Sequence, residues 1–182
     1  MAILKTIGET MKIIWIDGTF GSGKTAVANV VAKKMRNSYL LEFDALQMKY
    51  KPTSIFDLFG ERYPESKKYL IDGLIKEMLK IIQEGSYDYL IIPIALINDD
   101  CNERLVNSFA NIENYHFILT AANEILYQRI HTQEKRDVDL AETYMSNAIM
   151  YLNNHYSDAL RIDTSDMNID NVAEEIVKVI VG

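Results

Sequence analysis

The sequence predicts a single α/β domain, built on a parallel sheet with helices on both faces. Short, nearly continuous apolar runs alternate along the chain with longer segments whose apolar residues recur every three or four positions. These are the patterns of buried strands and of amphipathic helices. No repeat, low-complexity tract or linker interrupts the alternation, and 182 residues suit one domain with one substantial core.

The predicted strands are short apolar runs that end at polar residues or glycine. The first, from Lys12 to Asp17, leads directly into Gly18. The third contains Pro93, which argues against an unbroken central strand. The five predicted strands cover residues 12–17, 39–43, 89–97, 115–120 and 159–162.

The predicted helices follow from apolar residues with a period of 3.6. The clearest covers residues 66–84, where apolar side chains lie at every fourth position from Leu70 to Ile82, and Gly85 supplies a C-terminal cap. The other predicted helices begin at residue 23 or cover residues 103–110, 123–133, 140–153 and 169–180.

The first ten residues lack the apolar core of a signal peptide and precede the first convincing strand. We expect residues 1–10 to be an N-terminal extension, with Met11 as a second candidate start, and residues 11–182 to form the domain.

The charge pattern narrows the range of partners. The net charge is −7 and no basic stripe is present, which disfavours nucleic acid and anionic membranes as main partners. No apolar run approaches the roughly 18 residues that span a bilayer. The single cysteine, Cys101, cannot form an internal disulfide, so we expect a cytoplasmic protein. The sequence gives no indication of an oligomeric state.

A glycine-rich segment between the first strand and the first helix matches the pattern G-x-x-x-x-G-K-[ST]. Its residues are Gly18, Thr19, Phe20, Gly21, Ser22, Gly23, Lys24 and Thr25. Glycines let the backbone wrap closely around phosphate, whose charge the backbone N–H groups and the helix N-terminus attract. Lys24 is expected to reach the β- and γ-phosphates, and the Thr25 hydroxyl to ligate Mg²⁺. A chance match is the alternative, but the strand-to-helix context is the one that the motif requires. The sequence therefore predicts binding of ATP with Mg²⁺.

Four segments carry a wider resemblance: IIWIDGTFGSGKT, IIPIALI, ILYQRIHTQEKRD and ALRIDTSDMNIDNVAEEI. In these segments the chain resembles small P-loop kinases that phosphorylate metabolites or antibiotics, including shikimate and gluconate kinases and chloramphenicol phosphotransferase. Among them it is most similar to the tunicamycin-resistance proteins. The resemblance runs from Met11 nearly to the C-terminus, and it implies five parallel strands in the order 2-3-1-4-5.

Asp44 ends the second predicted strand, at the sheet edge where α/β proteins place ligands. Its carboxylate is predicted to orient the acceptor hydroxyl as the oxygen attacks the γ-phosphate, or to help Thr25 to hold Mg²⁺. The similar kinases carry an acidic residue at this place. The alternative is that Asp44 caps the next helix, and Glu42 is a weaker substitute for the role.

Arg129 and Arg136 lie seven residues apart and would share one helix face. The resemblance implies a lid whose arginines stabilise charge on the phosphates during transfer. The alternative is a solvated basic patch that includes Lys135. His131, between them, is expected to be a solvated side chain without an acidic partner.

The resemblance also places the segment Asp163, Thr164 and Ser165 beside the adenine, while a helix-capping turn is the alternative. It places the aromatic stretch over residues 50–63 at the acceptor, although core packing explains Phe56 and Phe59 equally well.

The chain departs from the usual pattern at its third strand, which lacks a terminal acid to hold Mg²⁺ through water. Asp99 and Asp100 come only afterwards, and Asp17, directly before Gly18, is the acid expected to compensate. The chain lacks the N-K-x-D sequence of Ras-like GTPases, so that class is disfavoured. It also lacks an arginine between residues 93 and 99, which a nucleoside-monophosphate kinase would have there, and the glycine triplet that a shikimate kinase would have near the same place.

We therefore expect a phosphotransferase that moves the γ-phosphate of ATP to a hydroxyl of a small organic molecule, for example an antibiotic such as tunicamycin. The alternatives are a nucleotide-dependent binding or sequestering protein that transfers no phosphate, and a switch ATPase with a protein partner.

Overall fold

Five parallel strands form one sheet in the order β2-β3-β1-β4-β5. The computed structural model describes residues 11–43, 64–99, 101–132 and 138–182. The strands are β1 (Lys12–Gly18), β2 (Ser38–Leu40), β3 (Tyr89–Pro93), β4 (Glu113–Thr120) and β5 (Leu160–Asp163). The helices are α1 (Lys24–Lys34), α2 (Pro64–Glu84), α3 (Asn123–Thr132), α4 (Val138–Asn154) and α5 (Ile169–Val181), with a π-helix (Cys101–Val106) between β3 and β4.

The central strand, β1, is buried on both of its faces. It pairs with β3 on one side and along its whole length with β4 on the other. Ile13 and Trp15 face one core, whereas Ile14 and Ile16 face the other, and all four side chains are inaccessible to solvent. Burial on both faces explains why this strand reads as a continuous apolar run.

Helices cover both faces of the sheet, as the sequence predicted. On one face α2 contributes Leu74 and Met78, and the π-helix contributes Leu105. On the other face α1 and α5 pack together through Val31 and Ile176. A smaller apolar cluster joins α3 to α4 beside the loop that follows β1. The α/β fold class and the strand order 2-3-1-4-5 are both confirmed.

Three elements differ from their predicted bounds by more than two residues. β2 ends at Leu40 instead of continuing to Phe43. β3 ends at Pro93, which has no N–H with which to extend the ladder, so residues 94–97 leave the strand. The helix predicted over residues 103–110 is a π-helix from Cys101 to Val106, followed by a short helical turn.

The predicted N-terminal extension, residues 1–10, and the aromatic stretch over residues 50–63 lie outside the described residues. The division at Met11 therefore stays a prediction. Within the described ranges, no helix is long and apolar enough to cross a membrane.

Candidate nucleotide-binding site

The loop from Gly18 to Gly23 joins β1 to α1 at the carboxyl edge of the sheet. Gly23 is the N-cap of α1, in the left-handed conformation with φ of 89°, and no side chain in the described ranges caps the helix. The first turn of α1 also carries no acidic residue. Without a side-chain cap or an acid, the N–H groups and the positive end of the helix dipole suit an anion.

The space above Gly23 is open on the side where a side chain would stand. Apart from its chain neighbours, a Cβ built on Gly23 would meet none of the described residues within 4 Å. Lys24 extends back over the loop, where its Nζ donates to the Thr19 carbonyl at 3.3 Å. Thr25 is exposed in the first turn of α1. Lys24 and Thr25, to which the motif assigns phosphate and Mg²⁺, therefore lie directly after Gly23 at the N-terminal end of α1.

Two loop hydroxyls lack the partners that buried polar atoms normally have. Thr19 Oγ1 and Ser22 Oγ are buried, and neither has a hydrogen-bond partner among the described residues. Unsatisfied buried hydroxyls are rare in folded proteins and often mark places where a polar ligand or water completes the bonding. These donors and the uncapped helix fit a triphosphate.

Helix α3 packs directly against the loop at Gly21. A Cβ on Gly21, whose φ is 76°, would lie 2.9 Å from the Leu126 carbonyl oxygen. Phe20 packs against the apolar cluster that contains Leu126 and Ile130. The position of α3 is therefore tied to the shape of the loop.

Arg129, on α3, is bound to the loop that follows β5. Its guanidinium donates to Thr164 Oγ1 at 2.9 Å and to the Thr164 carbonyl at 2.6 Å. Thr164, which is 3% exposed, in turn donates its own N–H and hydroxyl to the Thr120 carbonyl at 2.8 and 3.0 Å. The sequence analysis singled out Arg129 by its spacing from Arg136. It could not predict the contact with Thr164, which lies 35 residues away along the chain.

The same loop holds a carboxylate with a lowered pKa. The Ser165 hydroxyl and N–H both donate to Asp163 Oδ1, at 2.7 and 2.9 Å. These two bonds, with a smaller contribution from Arg129, hold the pKa of Asp163 below its ordinary value. Ser165 Oγ also accepts from the Ala122 N–H at 2.9 Å, just before α3. The cap of α5 is Asn168, which accepts from the Asn171 N–H at 2.8 Å. Residues 163–165 therefore do not cap α5, and Ser165 is bound to the residue before α3.

Asp17 is buried at the end of β1, where other protein groups bind its carboxylate. Its buried carboxylate accepts from the N–H groups of Gly18 and Leu96, and its second oxygen lies 3.1 Å from His116 Nε2. Asp99 is exposed and accepts from the Tyr151 hydroxyl at 2.9 Å. Asp17, which we expected to compensate for the missing acid on β3, thus has protein donors for both oxygens.

His131 is exposed, as expected, but it does have an acidic neighbour: its Nε2 lies 2.7 Å from Glu142 Oε1 on α4. The sequence could not show this pair, because the two residues are on different helices.

Two predicted catalytic residues, Asp44 and Arg136, lie outside the described residues, and their roles stay predictions. Within the described part of the chain, no group of three or more His, Cys, Asp or Glu side chains could hold a metal ion. A site made of Thr25, phosphate oxygens and water needs no such group, since Mg²⁺ keeps several waters when it binds with a nucleotide.

Comparison with known proteins supports the class of fold. No protein-family model and no curated protein sequence matches this chain. Among solved structures, a shikimate kinase from Bacteroides thetaiotaomicron has a TM-score of 0.68 at 14% identity, covering 93% of this chain and 98% of its own. The APS kinase of Mycobacterium tuberculosis, in complex with AMPPNP and APS, has a TM-score of 0.60 at 16% identity, covering 96% and 99%. The fold is therefore that of the small P-loop kinases, as the sequence resemblance predicted.

The tunicamycin resistance protein of Deinococcus radiodurans shares this fold. It has a TM-score of 0.63 at 23% identity, covering 94% of this chain and 96% of its own. The predicted similarity to the tunicamycin-resistance group is thus confirmed at the level of the fold.

Proposed function

We propose that the chain is an ATP-dependent phosphotransferase that moves the γ-phosphate of ATP to a hydroxyl of a small organic molecule. One observation carries the proposal: the motif from Gly18 to Thr25 forms a loop at the carboxyl edge of a parallel sheet, where Lys24 extends over an uncapped helix N-terminus. This is the place and the chemistry that a triphosphate requires. The solved structures with this fold include several small-molecule kinases.

The loop and Lys24 hold the phosphates in this proposal. Lys24 Nζ would exchange the Thr19 carbonyl for the more strongly charged phosphate oxygens. Thr25 holds Mg²⁺, which when bound neutralises charge on the phosphate oxygens. Because phosphoryl transfer depends mainly on positioning and electrostatics, these residues supply much of what the reaction needs.

The opposite end of the nucleotide lies, in our proposal, against Asp163, Thr164 and Ser165. Arg129 binds this loop through Thr164 and lies on the helix that packs against Gly21. These contacts link α3 to the loop that follows β5 and support a role for Arg129 near the nucleotide. We propose that Arg129 and Arg136 stabilise charge on the phosphates during transfer.

The acceptor is proposed to be a small hydroxyl compound, with nucleoside-like antibiotics such as tunicamycin as the first class to examine. The support is the overall likeness to a tunicamycin resistance protein, together with the absence of a basic stripe in the sequence. Asp44 would orient the acceptor hydroxyl. Because the reaction consumes ATP, we propose the cytoplasm as its location.

Asp44→Asn tests the proposal. We expect turnover to fall by about 100-fold or more, because the substitution removes the proposed proton acceptor, while ATP affinity stays within about threefold. Asp88→Asn, at the amino edge of the sheet before β3, is the matched control and should change neither quantity. An unchanged rate in Asp44→Asn, measured as ADP release, would rule out the catalytic assignment.

The second candidate is a nucleotide-dependent binding or sequestering protein. It is favoured by one specific observation: β3 ends at Pro93 without a carboxylate, and the nearby Asp17 already accepts from protein donors. This candidate predicts that Mg·ATP binds but that ADP release is not stimulated by any acceptor.

A further inference from the structure

A buried carboxylate near the end of β1 makes contacts with β4 and with the segment that follows β3, beside the phosphate loop. Asp17 Oδ1 accepts from the N–H of Gly18 at 2.6 Å and from the N–H of Leu96 at 3.1 Å. Asp17 Oδ2 lies 3.1 Å from Nε2 of His116, on β4. A carboxylate accepts but does not donate, so His116 carries its proton on Nε2 here. One side chain therefore joins the start of the loop, the segment after β3, and β4.

Tyr156 holds the same segment from the other side. Its hydroxyl donates to the Leu96 carbonyl at 2.8 Å, and its ring meets the His116 ring edge to face, with centroids 4.7 Å apart. Both backbone polar groups of Leu96 are thus bound by side chains. We call the side chains of Asp17, His116 and Tyr156 the Leu96 clamp.

Tyr156 lies just after the end of α4 and has an unusual backbone conformation. Tyr156 has φ of 58°, in the left-handed region that aromatic residues rarely adopt. Such a conformation persists when the surrounding contacts determine it, and it often occurs at functional sites. The contacts of Tyr156 with Leu96 and His116 are of that kind.

The Leu96 clamp lies close to the proposed site of phosphoryl transfer. Leu96 follows β3, which pairs with β1, so its segment borders the loop at the carboxyl edge where ligands of α/β proteins bind. In many P-loop enzymes an acid on this strand contacts the metal site. Here the acid is on β1, and it binds the backbone of the segment after β3 instead.

We propose that the Leu96 clamp is a positioning device that fixes the segment after β3 relative to the phosphate loop and so aligns the acceptor with the γ-phosphate. This inference rests on the proposed phosphotransfer. Its residues act through the backbone of Gly18 and Leu96 and are positioning residues rather than catalytic ones. Misalignment by about 1 Å can slow an enzyme by about 100-fold while leaving the binding of a substrate intact.

Tyr156→Phe is the mildest test, because it removes only the hydroxyl and retains the ring against His116. We expect kcat for ADP release from Mg·ATP, with the most stimulating acceptor of a hydroxyl-compound panel, to fall about tenfold. Mg·ATP affinity by calorimetry should stay within about twofold, since the phosphate contacts are untouched. Tyr115→Phe is the control, because it removes a similar hydroxyl bond, to Glu113 at the amino end of β4. It should change neither value.

Two variants of Asp17 distinguish a positioning role from a role of its negative charge. Asp17→Asn retains an oxygen for the N–H groups of Gly18 and Leu96, and its amide can donate to His116 in the other tautomer. We expect Asp17→Asn to keep kcat at least about tenfold above Asp17→Ala, which loses all three contacts. Fluorescence of Trp15, the single tryptophan, reports whether each variant is folded. If folded Asp17→Asn loses Mg²⁺-dependent turnover as fully as Asp17→Ala, Asp17 acts through its charge, and the clamp proposal is wrong.

The failures of the two proposals are distinguishable. A wild-type chain that binds Mg·ATP but shows no turnover contradicts the phosphotransferase, and with it the catalytic role of the clamp. A wild-type chain that turns over at a rate that Tyr156→Phe does not reduce contradicts the clamp alone.

Discussion

Lys24 brings a positive charge over the loop between β1 and α1, where its Nζ lies 3.3 Å from the Thr19 carbonyl. A neutral carbonyl is a weaker partner than a phosphate oxygen, because hydrogen bonds between charged groups are stronger than neutral ones. When ATP binds, we expect Lys24 Nζ to leave the Thr19 carbonyl and to bind a phosphate oxygen, and this bond contributes to the affinity for ATP.

We therefore predict that Lys24→Ala weakens Mg·ATP binding by about 10- to 100-fold, the effect of losing one charge-assisted contact. Calorimetry measures the affinity. Lys33→Ala, an equal loss of charge on an exposed residue at the other end of α1, is the matched control. Equal affinity in wild type and Lys24→Ala would contradict the assignment of the loop to phosphate.

Ser165 lowers the pKa of Asp163 through two donated bonds. Because these bonds lower the pKa of Asp163 in the folded protein, they stabilise the fold above the ordinary pKa of 3.8. That stabilisation is lost as pH falls through the lowered pKa. Ser165 also accepts a hydrogen bond from the Ala122 N–H, and the stability that this bond contributes does not depend on pH.

Ser165→Ala should raise the pKa of Asp163, as measured by NMR titration of its carboxyl carbon. The free energy of unfolding should differ more between variant and wild type at neutral pH than at acid pH below the lowered pKa. Ser157→Ala, which removes an exposed serine bonded to Asp158, should leave the pKa of Asp163 unchanged. A pKa of Asp163 that does not move in Ser165→Ala would show that other groups set it.

Single residues were predictable only where a local motif fixes them. The pattern from Gly18 to Thr25 is contiguous, so the sequence alone located it. The contacts of Arg129 with Thr164, and of Asp17 with Leu96 and His116, join residues 35, 79 and 99 positions apart. No periodicity or spacing encodes such pairs, because they arise from the order of strands in the sheet.

At the scale of elements, the loop and α3 depend on one another through Gly21. A Cβ on Gly21 would lie 2.9 Å from the Leu126 carbonyl oxygen, whereas a Cβ on Gly23 would meet none of the described residues within 4 Å, apart from its chain neighbours. Both glycines have positive φ, so alanine costs each of them about 1–2 kcal/mol of backbone strain. Only Gly21 adds a collision between elements.

We predict that Gly21→Ala lowers Tm by about 5 °C more than Gly23→Ala, because relief of the collision must displace α3. Gly23→Ala should instead weaken Mg·ATP binding more than its own loss of stability explains, since its methyl group enters the proposed phosphate space. Calorimetric melting with and without Mg·ATP measures both effects. Equal Tm values for the two variants would contradict the packing of α3 on the loop.

Most element positions were predictable, because buried parallel strands and amphipathic helices leave strong patterns. The strand from Lys12 and the helix that ends at Glu84 match the structure closely. The exceptions are local: β2 stops at Leu40, β3 stops at Pro93, and the segment from Cys101 winds as a π-helix. Backbone pairing and winding decide these bounds, and hydrophobic patterns do not report them.

At the scale of the whole molecule, alternating strands and helices predicted an α/β sheet, but they did not determine which strands are neighbours. The order came from resemblance to the P-loop kinases, and the structure has that order. A crossover that brings β1 between β3 and β4 places the loop at the centre of the sheet edge. The same crossover places Leu96 and His116 on either side of Asp17.

ADP release from Mg·ATP by the intact purified chain tests the proposed phosphotransfer most directly. The rate of release is measured without an acceptor and then with each member of a panel of tunicamycin, nucleosides and aminoglycosides. We predict that one class of hydroxyl compound raises the rate at least about tenfold, since an aligned acceptor outcompetes water, and that Asp44→Asn abolishes the increase. Clear binding of Mg·ATP without any stimulated release would contradict the phosphotransferase and favour a protein that binds the nucleotide without transferring phosphate.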